Sequence, residues 1–115
     1  MNKKIGEIIR EIRNEKGISL RRLAEIVNVS NVNILYIEKG KISTSLPILK
    51  GIAKALNYNI DKLLALANMI DDDVRNIINK RPVVITNFLR VAKNLTNDDW
   101  NILTKQVLNM KKTVS

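Results

Sequence analysis

Apolar residues recur along this chain three and four positions apart, the spacing of one helical face. Ile5, Ile8, Ile9 and Ile12 form the first such stripe, on a helix over residues 3–15, with Glu7, Glu11, Glu15 and Arg10 opposite. Gly17 is a natural C′ residue and ends it. Ser19 then caps a short helix over residues 19–27, in which Leu23, Ala24 and Val27 share a face. Asn28 stops that helix, because asparagine tolerates the left-handed conformation better than most residues. Val29 is expected as a buried link. Ser30 caps a third helix, residues 31–39, with Ile34 and Ile37 inward and Gly40 at its end. That leaves Asn31, Val32, Asn33 and Tyr36 facing outward.

The same spacing continues to the end of the chain. Ser45 caps a fourth helix that tolerates Pro47 in its first turn and carries Leu46, Leu49, Ile52, Ala53 and Leu56 inward. Gly51 lies inside it, at a cost of about 0.5–1 kcal/mol relative to alanine. Either a close helix approach or drift accounts for it. Asn59 caps a fifth helix with Ile60, Leu63, Leu64 and Ala67 inward. Asp71, Asp72 and Asp73 open a sixth, which carries Val74, Ile77 and Ile78 and breaks at Arg81-Pro82. A seventh carries Val84, Phe88, Leu89 and Ala92 and ends at Asn94 and Leu95. Thr96 to Asp99 resembles a capping box, with Asp in place of the commoner Glu. The last helix, residues 97–111, shows Trp100, Leu103, Val107 and Met110 as a narrow seam. The pattern predicts an all-α chain.

Charge and composition narrow the function. Lys and Arg number 20 against 11 Asp and Glu, a net charge of +9 in 115 residues. A balance so basic in so small a chain points to a polyanionic partner, most often nucleic acid. Cysteine and histidine are absent. Disulfides, the usual zinc sites and Ser-His or Cys-His catalysis are thereby excluded. Asp71–Asp73 and Asp98–Asp99 are the carboxylate clusters, and both sit at helix starts, where they complement the helix dipole. No further carboxylate follows at ligand spacing, so neither a metal site nor a catalytic residue is expected, and no cofactor. There is no apolar run of about 18 residues and no N-terminal signal pattern. A cytoplasmic protein, nucleoid-associated when bound, is the expectation. Asparagine is abundant, which reads as coding bias rather than chemistry.

A short Ser-capped helix with amides and a tyrosine on its free face suits a DNA major groove. Residues 18–40 are similar to the helix-turn-helix of the phage-repressor family (Cro/C1-type, or Xre). The resemblance rests on Gly17, Ile18, Ser19, Leu23, Ala24, Val29, Ser30, Ile34, Ile37, Glu38 and Gly40. It extends to Ile9–Arg13 and to LPILKGIAKALNYNIDKLL over residues 46–64. The family often has Gly at Asn28 and Gln at Leu20, and the second difference removes one expected phosphate contact, for which Arg21 and Arg22 are candidates. The resemblance implies a five-helix, lambda-repressor-like helix-turn-helix domain over residues 1–69. It also implies a C-terminal helical dimerisation segment over residues 70–115, built on Phe88, Trp100, Leu103, Val107 and Met110; the alternative for these three short helices is packing on the first domain. Arg13 and Glu38 are implied as an ion pair between the first and third helices.

On this reading Asn31, Val32, Asn33 and Tyr36 meet base edges. Arg21, Arg22, Ser30, Lys39, Lys41, Ser43 and Thr44 meet phosphates. The expected function is a sequence-specific, double-stranded DNA-binding transcriptional regulator, a repressor that binds a palindrome as a homodimer. The alternative is an antitoxin or protein-interaction module whose tail binds a partner protein (toxin, protease or antirepressor) and which autoregulates through the same helices. An enzyme is not expected, and neither is a membrane partner.

Overall fold

The computed structural model describes residues 3–114. Its helices, in order, are α1 (Lys3–Glu15), α2 (Leu20–Val27), α3 (Asn31–Glu38), α4 (Leu46–Ala55), α5 (Ile60–Leu66), α6 (Asp72–Lys80), α7 (Pro82–Val91) and α8 (Asn97–Val114). The described residues contain no strand.

Side chains just ahead of the helices set where several of them begin. Ser19 Oγ accepts from Arg22 N at 3.0 Å, Ser30 Oγ from Asn33 N at 3.1 Å, and Ser45 Oγ from Ile48 N at 3.4 Å. Asn59 Oδ1 accepts from Lys62 N at 3.0 Å. Each satisfies one amide that the first turn would otherwise leave without an acceptor. The reading of asparagine as mere coding bias needs correction. Asn28, Asn57 and Asn68 take φ values of 64°, 52° and 56° just beyond α2, α4 and α5. These are the left-handed positions that glycine usually occupies, as Gly17 and Gly40 do here at 66° and 70°.

Residues up to Arg75 form one compact unit. In it α1 packs on α3, α2 on α3 and α4, and α4 on α5. Ile9, Leu23, Ile34, Leu49, Ile52, Leu56, Leu63 and Leu64 are the large side chains at its centre, all essentially sealed from water. The stripes expected from spacing therefore meet in one core. Val29, expected to be buried, is half-buried at its edge. The division expected from the sequence lies at residues 69/70; within the first unit Asp71 is tied back to α4. Lys50 Nζ donates to Asp71 Oδ1 at 3.0 Å. That hydrogen bond lowers the Asp71 pKa and raises that of Lys50. The Asp71 contribution is present above the unfolded-chain value of about 3.9 and is lost as pH falls through the lowered folded value. The Lys50 contribution is present below about 10.4 and is lost as pH rises through the raised one. The link thus holds across the neutral range.

Two glycines inside helices have opposite surroundings. A Cβ built on Gly6 would lie 2.5 Å from the Glu38 carbonyl oxygen and 2.8 Å from its carbonyl carbon. Gly6 is what lets α1 touch the end of α3. A Cβ on Gly51 would meet only Val27, at 3.5 Å, an ordinary contact. Gly6→Ala is expected to destabilise by about 1–3 kcal/mol through overpacking against backbone. Gly51→Ala is expected to stabilise by about 0.5–1 kcal/mol. Urea unfolding of both variants checks the pair; equal effects would mean that the α1–α3 approach is looser than described.

The second unit runs from Asn76 to the C-terminus. Thr96 and Asp99 make a reciprocal capping box at the start of α8. The Thr96 backbone N donates to Asp99 Oδ2, and Asp99 N donates to Thr96 Oγ1, both at 3.1 Å. Phe88 on α7 and Trp100 on α8 meet edge to face, with ring centroids 6.1 Å apart. Ala92 is the one fully buried hydrophobic residue described in this unit. Val83, Val84, Val91, Ile102 and Leu108 are exposed, and so are Phe88, Val107 and Met110. Trp100 and Leu103 are half-buried.

Candidate nucleic-acid interface

The turn between α2 and α3 is fixed by backbone. Asn28 N donates to Glu25 O at 3.2 Å and Val29 N to Ala24 O at 3.0 Å, closing α2 as the chain swings into Ser30. Ile34, Ile37 and Glu38 then anchor α3 inward. Because that face is committed to the core, the opposite one is free. Asn31, Val32 and Tyr36 are exposed there, Val32 at 55 % and Tyr36 at 39 %. Three of the four side chains expected to face bases are thus presented together. Asn33 differs: it is half-buried, and its amide oxygen is buried with no hydrogen-bond partner. In this conformation that oxygen is not presented to a base edge.

Among the residues expected at phosphates, Ser30, Lys39, Lys41, Ser43, Arg21 and Arg22 are exposed. Ser30 Oγ already accepts from Asn33 N but keeps its own hydroxyl proton to donate. Arg21 and Arg22 each lie 3.5 Å from Glu25. Exposed pairs of this kind are worth about 0–1 kcal/mol, so they yield readily to a phosphate. Thr44 is set differently from the others. Its hydroxyl oxygen is buried and has no hydrogen-bond partner in this conformation. Lys41 is linked to the reading face as well as to the loop. Its Nζ stands 5.5 Å from the Tyr36 ring centroid, and its backbone N donates to Tyr36 O at 2.9 Å.

Behind this surface, Arg13 and Glu38 form a fork. Arg13 Nε donates to Glu38 Oε2 at 2.7 Å and a terminal nitrogen donates to Oε1 at 3.0 Å. The other terminal nitrogen donates to Ile18 O at 3.0 Å. One guanidinium therefore joins α1, the link before α2, and α3. The hydrogen bonds to Glu38 raise the Arg13 pKa, outweighing the opposite effect of burial. Beside the pair is a cleft of about 230 Å³ lined by Arg10, Leu20, Leu35 and Lys39. Spacing alone marked neither Arg10 nor Leu35, since each becomes part of the surface only when α1 is laid against α3. No helix among the described residues is long and apolar enough to cross a membrane.

Comparison with known proteins agrees with this geometry. The helix-turn-helix family profile matches residues 9–63. The competence pilus inhibition repressor of Acinetobacter baylyi is 32 % identical over 69 residues, which cover 60 % of this chain. The chain spans 63 % of that repressor's length. An HTH-type transcriptional regulator of Methanothermobacter thermautotrophicus is 45 % identical over 49 residues, 43 % of this chain and 71 % of that protein. Among solved structures, the restriction-modification controller protein C.AhdI of Aeromonas hydrophila superposes with a TM-score of 0.50 at 30 % identity. The match covers 52 % of this chain and 91 % of that one.

Proposed function

The chain belongs to the helix-turn-helix family, and we propose that it is a DNA-binding transcriptional regulator, a repressor gripping a palindromic operator as a homodimer. The observation that carries the reading is the division of α3. Ile34, Ile37 and Glu38 hold it to the core while Asn31, Val32 and Tyr36 stand clear. An asparagine amide can pair bidentately with adenine, and a valine can pack on a thymine methyl. Lys39, Lys41 and Ser43 lie at or just beyond the end of the same helix, where backbone phosphates would fix its register. The chain acts by binding, with no chemical step, and works in the cytoplasm at the nucleoid.

The homodimer is supported by two features. A single module of this type buries only about 600–1,000 Å² on DNA, so useful specificity calls for two copies. The tail also leaves Phe88, Val107 and Met110, three of the residues expected at the seam, exposed to water, and a second copy would cover them. The Acinetobacter relative bears the name of a repressor, which favours repression over activation.

The test is selection of bound sequences from a random duplex library at stated salt, with the full chain. The expected site is an inverted repeat with half-sites about 10–10.5 base pairs apart, or a multiple of that. Asn31→Ala in the same selection should relax one position of each half-site. It should cost about 1–3 kcal/mol on the selected operator and little on random DNA. Equal loss on both would remove Asn31 from the readers, and a selected site without symmetry would argue against the dimer.

A further inference from the structure

We infer that the cleft between α1 and α3 seats a backbone phosphate of the bound DNA, held by Arg10 and Lys39. The proposal rests on the DNA-binding reading and goes beyond it by assigning Arg10, a residue of α1, to the interface. The cleft is lined by Arg10, Arg13, Leu20, Leu35, Glu38 and Lys39 and has a volume of about 230 Å³. A water takes about 30 Å³ of the liquid, so the space holds a phosphodiester with waters beside it.

Its charge is less mixed than the residue types suggest. Glu38 is the one acid in the lining, and Arg13 neutralises it through the 2.7 Å and 3.0 Å hydrogen bonds. Both members of that pair are nearly closed to solvent, with side chains 11 % and 3 % exposed. What a ligand meets is therefore Arg10 and Lys39. Both are exposed, and neither has a carboxylate partner among the described residues. Arg21 and Arg22, by contrast, share Glu25. Leu20 and Leu35 supply apolar wall, and low-dielectric walls strengthen the field of the cations between them.

Position selects DNA as the source of the anion. Lys39 is the C-cap of α3, the helix that presents Asn31, Val32 and Tyr36. A phosphate held there is at the flank of whatever groove α3 enters. Leu20 and Leu35 have no side-chain donor, so the charged donors open to a ligand in this cleft are Arg10 and Lys39. Arg10 lines the same cleft and supplies both charge and a planar donor fork.

The experiment uses the full chain with Arg10→Gln, Lys39→Gln, Arg10→Lys and Lys54→Gln. Lys54 is exposed and is not part of the cleft. Affinity is measured on the selected operator and on random duplex from about 50 to 200 mM salt, where each phosphate contact contributes a slope near −0.9. Arg10→Gln and Lys39→Gln are each expected to flatten the slope by about one unit on both DNAs, with unchanged melting temperature. Arg10→Lys should restore the slope, and Lys54→Gln should leave it alone. An unchanged slope for Arg10→Gln, or a loss confined to the operator, overturns the cleft assignment while the wild-type chain still binds. A wild-type chain that selects no DNA overturns the reading beneath it.

Discussion

Glu38→Ala should cost the folded chain about 3–5 kcal/mol, the effect of leaving a buried charge without its partner. Arg13 would keep only its hydrogen bond to Ile18 O, and the two N–H groups that now reach Glu38 would lose their acceptor. Small domains are stable by about 5–15 kcal/mol in all, so the variant would sit near the edge of folding at ambient temperature. The loss reflects an orphaned guanidinium rather than a large net gain from the pair. Replacing both partners together, Arg13→Met with Glu38→Leu, should therefore return most of the stability. Urea unfolding of the wild type, the single variant and the double variant measures this. A single-variant loss under about 1 kcal/mol, the level of an exposed surface pair, would show that the fork is solvated in solution.

Much of the fold is written locally, and those parts were legible. Ser19, Ser30, Ser45 and Asn59 each cap a helix because a short oxygen-bearing side chain reaches the third residue on. Asn28 ends α2 in the left-handed conformation its residue type tolerates. The Thr96–Asp99 box forms although Asp stands where Glu is usual. What escaped the sequence depends on residues far apart in the chain. Gly6 looks like a flaw in α1 until the carbonyls at the end of α3 come up against it. Arg10 looks like one more surface cation until α3 brings Lys39 to it. Asn33 and Thr44 read as polar surface, yet the packing turns an oxygen of each inward. Asn57 and Asn68 were hidden by number, since a common residue does not attract attention as a helix stop.

A chain cut after Arg75 should keep its fold and lose its grip on a palindrome. The cut respects the first compact unit, including the Lys50–Asp71 tie. Its core residues come from α1 to α5 and would keep their neighbours. Among the described residues from 76 on little apolar surface is buried, and Phe88, Val107 and Val91 are about half exposed or more. Short helices with so small a core are not stable on their own in water, so something must cover them. If that is a second copy, the two recognition helices are joined, and half-site affinities combine on the palindrome. Tethering of this kind raises affinity by about 10²–10⁴-fold when both sites can be reached together. The truncated chain should therefore be a monomer with helical circular dichroism and a cooperative melt. It should bind the selected operator about 10²-fold or more weaker than the full chain and random DNA only slightly weaker. Sedimentation equilibrium at micromolar concentration, paired with titration of both chains onto one operator, decides it. Two monomers of equal affinity would remove the tail as the dimerisation element. An unfolded truncation would show instead that the tail completes the first core.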